Sequence, residues 1–435
     1  MKKKTRATDL EIPRRRVLHG GLAGLAAALM SPALKGCDDG PGEGDAGAPS
    51  DAAADSGVTP PDSGVGSTAF PPREMPAAPT LRSLIADIGP LGDPDENGVR
   101  LPEGFTSRIV ARSGENVEGT EHEWHRAPDG GATFATMDGG WIYVSNSELP
   151  VVGGVGALRF DASGAIVDAY STLTRTQINC AGGPTPWGSW LSCEELEAGQ
   201  VYETDPWGEH DPQLRAALGT FKHEAVTVDP TEWKLYLSED ASGGGFYRYT
   251  PAGMTEYGFP DLDDGLLEIA ELAPGGEVTW HEVPDPLRTG PTSTRNQVPE
   301  STAFDGGEGI WYHAGTVYLS TKGDDRIWAY DVASSTMTVL YDDDDYTPVP
   351  LSGVDNLTVS CCGDVLVAED GGAMQIVAIL PSGEPKPLLQ IVGQDDSEIT
   401  GPAFDPSGTR LYFSSQRGGS GGLTYEVTGP FHEEV

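Results

Sequence analysis

Residues 179–195 bring a thiol and a pair of carboxylates into one short stretch, Asn-Cys-Ala-Gly-Gly-Pro-Thr-Pro-Trp-Gly-Ser-Trp-Leu-Ser-Cys-Glu-Glu. Cys180 is a soft ligand, whereas Glu194 and Glu195 are hard ones. A loop that gathers both kinds can hold a transition metal beside a hard cation such as calcium. The competing reading is a disulfide between Cys180 and Cys193, with the glutamates solvated. Further acids stand at the starts of apolar strands downstream, at Glu224, Glu308 and Asp355. Carboxylates packed in a partly dry channel repel one another, so they take up protons or bind cations.

The elements that must position these groups are short strands. Apolar runs such as Lys234–Leu237, Val317–Ser320, Val365–Ala368 and Arg410–Phe413 alternate with Gly, Pro, Asp and Asn turns. That pattern predicts an all-β protein built from meanders. Only two short helices are expected, over Leu81–Ile88 and Pro212–Leu218. The segments beginning at Glu224, Glu308, Asp355 and Gly401 share one frame of strand, turn and second strand. In the segments from Glu224 and Asp355 the frame closes on Glu-Asp (Glu239-Asp240, Glu369-Asp370). The step from 308 to 355 is 47 residues, and that from 355 to about 402 is the same. A repeat of roughly 40–50 residues is the length of a β-propeller blade. About six blades are expected, with five or seven also compatible. In such a fold the innermost strands start around one channel mouth, so Glu224, Glu308 and Asp355 would converge there, joined by Glu195.

The chain divides into three parts: residues 1–37, a signal outside the fold; 38–79, a tether; and 80–435, the propeller. Lys2, Lys3, Lys4 and Arg6 precede Arg14-Arg15-Arg16 and an apolar run from Leu22 to Met30. Twin arginines before a weakly apolar segment read as a Tat-type export signal, too short for a membrane span. Leu34-Lys35-Gly36-Cys37 resembles a lipoprotein box with Cys37 as the lipidated residue; cleavage near Ala33 is the alternative. The Ala/Gly/Asp/Pro-rich tether has almost no large apolar side chain and is expected to be disordered. The destination is the periplasm, the cell surface or the medium, reached through the Tat translocase, with membrane contact only through a lipid anchor.

The formal charge is −40, and eight of the 27 basic but only two of the 67 acidic residues fall within the first thirty-seven, leaving −46 beyond them. Little basic surface remains to neutralise phosphates, which excludes nucleic acid as a partner. Four cysteines besides Cys37 are too few for a disulfide scaffold of this length. Cys361 and Cys362 sit in a predicted turn, paired with each other or without function.

The stretch from Asn179 to Glu195 resembles the PhoX-type alkaline phosphatases, and so do Gly219-Thr-Phe-Lys-His-Glu224, Val354-Asp-Asn-Leu357 and Glu398-Ile-Thr-Gly401. The resemblance runs from about Leu101 to the end of the chain. It implies a Tat-exported propeller that hydrolyses phosphomonoesters at a centre of ferric iron (Fe3+) and calcium (Ca2+). Carried over residue by residue, Cys180 would bridge two ferric ions, and Glu195, Glu224 and Glu308 would be shared between iron and calcium. Asp355 and Glu148 would complete the calcium shell. Such a centre grips phosphate oxygens and needs no side-chain base. The sequence departs from the family in two places. Gly306 stands where the family has a phosphate-gripping arginine, and Ser147 replaces the histidine of Asn-His-Glu. Lys222, Arg417 and Arg295 are the cations that could replace the arginine.

Two other readings stay open: a calcium-bearing propeller that binds a ligand without turnover, and a lactonase-like hydrolase, which has no role for Cys180. A monomer acting on a small molecule is expected in each case. His122 and His125 have the spacing of a metal pair, though a β setting favours packing. His223 is expected to orient Glu224, Trp187 and Trp190 to pack within blades, and Asp342–Asp345 to form an acidic turn. No P-loop or zinc-type Cys/His spacing occurs.

Overall fold

The computed structural model describes residues 4–14, 69–419 and 421–435. Six antiparallel sheets of four or five strands follow one another along the chain. Their innermost strands are Pro128–Ala135, Asn179–Pro184, His223–Asp229, Gly307–His313, Val354–Val359 and Ile399–Phe404. Each packs on the next and the sixth packs on the first, so the sheets close into a six-bladed propeller. The ends of the domain are fastened together by shared blades. Val99–Arg100 adds the outer strand of the fifth blade, and Thr106–Arg112 that of the sixth.

Strands near the axis are buried on both faces because each blade lies between two others. Val354–Val359 and Val365–Glu369 have no exposed residue. The apolar core lies between blades. Tyr236 and Phe246 of the third meet Trp328 and Tyr330 of the fourth, and Trp311 and Ile327 of the fourth meet Val367 and Ile379 of the fifth. Each such side chain contributes about 1.5–3 kcal/mol by leaving water.

Neither expected helix forms. Leu81–Ser83 is a strand paired with the C-terminal strand His432–Glu434, and only Ile85–Asp87 makes a 3-10 turn. Helical spacing of Leu81, Leu84, Ile85 and Ile88 is overridden by that tertiary pairing. Within Pro212–Leu218, Gln213–Leu214 edges the second blade and Ala216–Leu218 is a 3-10 turn. There the buried guanidinium of Arg215 pairs with Glu203 (2.7 Å) and Asp263 (2.9 Å).

Parts of the segment read as an export signal and of the segment read as a tether lie against the fold. Residues 69–79, the end of the expected tether, dock on the second blade. Phe70 is buried, the Arg73 amide donates to the Trp187 carbonyl at 3.1 Å, and the Arg73 guanidinium pairs with Asp205 and Glu209. One aromatic and one arginine are enough to anchor a stretch whose average composition reads as unstructured. Residues 4–14 run along the third and fourth blades. The Ala7 amide donates to the Ala303 carbonyl at 2.9 Å, Arg6 pairs with Asp305 at 3.1 Å, and Arg14 pairs with Asp342 at 2.9 Å. Arg15, Arg16, the apolar run, Cys37 and residues 38–68 lie outside the described residues. Among those described, no helix is long and apolar enough to cross a membrane.

Candidate metal centre

One backbone irregularity is repeated in all six blades. Each innermost strand slips against its partner, between Pro128 and Gly131, Asn179 and Gly182, His223 and Val226, Gly307 and Ile310, Val354 and Leu357, and Thr400 and Ala403. A bulge re-aims the side chain of the residue it leaves unpaired. The first unpaired residues are Asp129, Cys180, Glu224, Glu308, Asp355 and Gly401. Directly after the second strand of each blade stand Glu148, Glu195, Asp240, Lys322, Asp370 and Gln416. The channel mouth is thus rimmed by two sets of residues, one from the bulges and one from the strand ends.

These groups meet. Donor atoms of Glu148, Cys180 and Glu195 all lie within 4.8 Å of one another, and all three residues are buried. The Cys180 Sγ is 3.6 Å from Glu224 Oε1 and 3.8 Å from Asp129 Oδ2. Lys322 Nζ is 3.6 Å from Glu308 Oε1, 4.0 Å from Asp355 Oδ2 and 3.0 Å from Asp370 Oδ2. Lys222 Nζ is 2.9 Å from Glu195 Oε1 and 3.8 Å from Asp240 Oδ2. Gln416 Nε2 donates to Asp129 and, at 2.8 Å, to Glu148.

The thiol loop is held from the first blade. Asn146 Nδ2 donates to the carbonyls of Cys180 (3.1 Å) and Ala181 (2.8 Å), while its Oδ1 accepts from Trp190 Nε1 at 2.9 Å. Gly183 follows because a Cβ there would lie 1.8 Å from the Val226 carbonyl of the next innermost strand. Asn356 does the matching work across the fifth and sixth blades. It accepts from the Gly401 amide at 3.0 Å and donates to Asp355 Oδ1 at 2.8 Å.

Burial is the largest electrostatic influence. It raises the Cys180 thiol well above its ordinary range, with Asp129 and Glu224 adding to the effect. It also lifts the Glu224 and Glu195 carboxyls, reinforced at Glu224 by Glu308 and at Glu195 by Asp240, with Lys222 opposing at Glu195. Burial works against the charge of Lys222, but Glu195 and Asp240 outweigh it and the ammonium is held more firmly. The eight rim carboxylates, Asp129, Glu148, Glu195, Glu224, Asp240, Glu308, Asp355 and Asp370, face two lysines, and Glu224 Oε2 is buried without a hydrogen bond. Six of the eight are buried, Asp240 and Asp370 being partly exposed, and buried negative charge in this excess calls for cations. One thiol among many carboxylates could hold a transition metal together with a hard oxygen-seeking ion such as calcium.

The structure therefore brings together Cys180, Glu195, Glu224, Glu308, Asp355 and Glu148, with Lys222 at the edge. Arg417 is near the rim, 4.0 Å from Glu148 and bonded to Glu398. Arg295 is committed elsewhere, to Glu239 and Glu197. Cys180 and Cys193 are both free, which removes the disulfide alternative. Glu194 separates from Glu195 and accepts the backbone amides of Gln177 (2.9 Å) and Gln200 (3.3 Å). His223 does not orient Glu224. Its Nε2 donates to the Gly219 carbonyl at 3.0 Å, its ring stacks on Phe221, and burial pushes its pKa down to about 3. His122 and His125 pack around Trp124, and the Asp342–Asp345 turn is held by Arg14, with Arg326 also on Asp342.

Asp129, Lys322, Asn356 and Gln416 were not singled out from the sequence. Asp129 sits in Pro-Asp-Gly-Gly, which reads as a turn. Lys322 occupies the place of Asp240 and Asp370 in the repeat, but with the opposite charge.

A closed six-bladed propeller with a buried thiol among eight rim carboxylates has the ligand set of a metal-dependent propeller. The model of the family described as "Alkaline phosphatase PhoX" matches residues 153–205 and 196–419, and the chain belongs to that family of metal-dependent phosphatases. Among solved structures, the chain resembles Pseudomonas fluorescens PhoX in complex with vanadate, a transition state analogue. The TM-score is 0.63 at 16% identity, covering 79% of this chain and 97% of that one. A Bacteroides thetaiotaomicron protein of unknown function aligns with a TM-score of 0.46 at 8% identity, over 78% of this chain and 83% of that one. No curated protein matches.

Proposed function

We propose that the chain is an exported phosphoric monoester hydrolase working at an iron–calcium centre held by Cys180, Glu195, Glu224 and Glu308, with Asp355 and Glu148 completing the calcium shell. The observation that carries this reading is the convergence of these six residues, from five blades, on one buried locus. Bound there, the ions would polarise phosphorus and neutralise charge on the phosphoryl oxygens.

The protein's own groups supply binding and orientation. A cavity of about 410 Å3 opens beside Glu148, lined by Arg126, Arg417, Leu149, Pro150 and Ile178. The two guanidiniums face an anionic phosphoester, and the apolar residues suit its organic part. Lys322 takes over from the family's missing arginine. Its amide donates to the Gly306 carbonyl at 2.8 Å, and a Cβ on Gly306 would lie 3.6 Å from the Lys322 Cβ. An ammonium at this point holds the phosphate as a point charge, without the two-pronged geometry of arginine.

The test is hydrolysis of p-nitrophenyl phosphate by full-length protein loaded with iron and calcium. Activity should be inhibited by vanadate and lost in Cys180→Ala and Glu308→Gln. Loaded protein that turns over no phosphoester would refute the enzyme reading. The second reading, a calcium-bearing binder without turnover, draws on Gly306 and predicts calcium without iron. Export rests on Arg14-Arg15-Arg16 and the apolar run, and replacing Arg15 and Arg16 by lysine should retain the protein in the cytoplasm.

A further inference from the structure

A second group of metal-ligand side chains lies at the opposite face from the channel centre. Cys361 and Cys362 occupy the turn after Val354–Val359, at the far end of that strand from Asp355. His432 comes from the C-terminal strand. One donor atom from each of the three residues lies within 4.8 Å of the others. Both cysteines are free, and their sulfurs are 3.6 Å apart. Adjacent residues are poorly placed for a disulfide, since a trans peptide spaces Cα atoms 3.8 Å apart and disulfides usually need more than about 4.4 Å. Two thiolates on one tetrahedral zinc, each about 2.3 Å from the metal, are separated by nearly the distance seen here.

His432 supplies an independent observation. It is buried, its Nδ1 is engaged by the Gly408 carbonyl at 2.8 Å, and its Nε2 has no hydrogen-bond partner. A ring fixed through one nitrogen by a backbone carbonyl, with the other lone pair left open, is the usual state of a metal-ligating histidine. The negative charge of Asp364 acts on all three residues, which favours a cation among them.

We propose that Cys361, Cys362 and His432 form a second metal site for a thiophilic cation of the Zn2+ class. Binding forms two metal–sulfur bonds and one metal–nitrogen bond, releases the two thiol protons to solvent, and leaves a fourth position for water. The ion would staple the C-terminal strand to the fifth blade. Through the pairing of His432–Glu434 with Leu81–Ser83 it would also hold that strand, in place of the hydrogen bond from the Cys362 thiol to the Leu81 carbonyl (3.3 Å), which is given up when the proton leaves.

The experiment adds Zn2+ to the full chain carrying Cys180→Ala, so that the channel thiol does not contribute. This chain should bind one equivalent more than the same chain carrying Cys361→Ser/Cys362→Ser, and the ion should shield two thiols from a chromogenic disulfide reagent and raise the melting temperature. Cys361→Ser/Cys362→Ser should abolish all three effects. His432→Gln should weaken binding at least roughly tenfold. The same site filled with Co2+ should show sulfur-to-metal charge transfer. Binding unchanged in the double variant, no protection of thiols, or recovery of the peptide with the two cysteines joined as a disulfide would overturn the proposal.

Discussion

The first three blades and the next two build their rims with the same bulge, yet they present different chemistry. Blades one to three offer Asp129, Glu148, Cys180, Glu195, Glu224 and Asp240, a soft sulfur packed among carboxylates, with Lys222 on Glu195 at the edge. Blades four and five offer Glu308, Asp355 and Asp370 around the ammonium of Lys322, with no sulfur. The sixth blade contributes neutral Gly401 at its bulge and Gln416 at its strand end. The fold fixes where side chains arrive, and residue identity at each arrival point decides whether a metal or an anion is held. On the proposed reading the sulfur and its neighbouring carboxylates hold iron, while Glu308 and Asp355 share the ions from the other side and Lys322 between them grips phosphate.

Removing the sulfur should have the largest effect. Cys180→Ala should lower phosphatase activity by more than about a hundredfold, since even groups that only support metal ligands are worth 10–100-fold. Iron content and any visible thiolate-to-iron band should disappear with it. Lys322→Ala should lower kcat/KM by about a hundredfold, in the range for loss of one charge-stabilising donor, while leaving metal content intact. A loss of metal on this substitution would erase the distinction between the two sides.

Gly306→Arg sharpens the contrast. The position has room for a Cβ, with no neighbour closer than 3.4 Å, but its φ is +63°. The variant should raise activity by up to about tenfold through a bidentate contact, at a stability cost of about 1–2 kcal/mol for the left-handed backbone. Thermal unfolding and steady-state rates check the two effects together.

Metal removal should show a pH signature on the thiol side. The Glu195 and Glu224 carboxyls are raised above their ordinary 4.5, so the folded metal-free protein keeps protons that the unfolded chain releases. That stabilising contribution is complete below the ordinary value and is lost as pH rises through the raised one. Chelator-treated protein should therefore melt lower at about pH 8 than at about pH 5, with the gap to loaded protein widening as pH rises. The smallest effect is expected for Gln416→Ala, which deprives Asp129 and Glu148 of one donor and should cost about 1 kcal/mol, as seen in chemical denaturation.

Much of this was legible in the sequence, because a propeller repeats one frame and the repeated acids mark one end of it. Glu195, Glu224, Glu308 and Asp355 stand at the channel mouth, where the repeated frame puts them, with Cys180 and Glu148 beside them. Asp129 escaped because Pro-Asp-Gly-Gly has turn chemistry, and Lys322 because a search for recurring acids passes over a reversed charge. His223 was assigned to Glu224 by adjacency, yet consecutive residues in a strand point to opposite faces. Arg295 was chosen by charge alone, and charge does not reveal prior commitment to Glu239 and Glu197. Phe70 and Arg73 were hidden in a composition average, and the two supposed helices were set by pairing partners distant in the chain.

The most direct test is elemental analysis by mass spectrometry of the protein purified from its own host, alongside Cys180→Ala. Iron and calcium should both accompany the native chain, and iron should be absent from the variant. Native protein carrying neither ion, or equal iron in both, would contradict the placement of a metal centre at the thiol side of the channel.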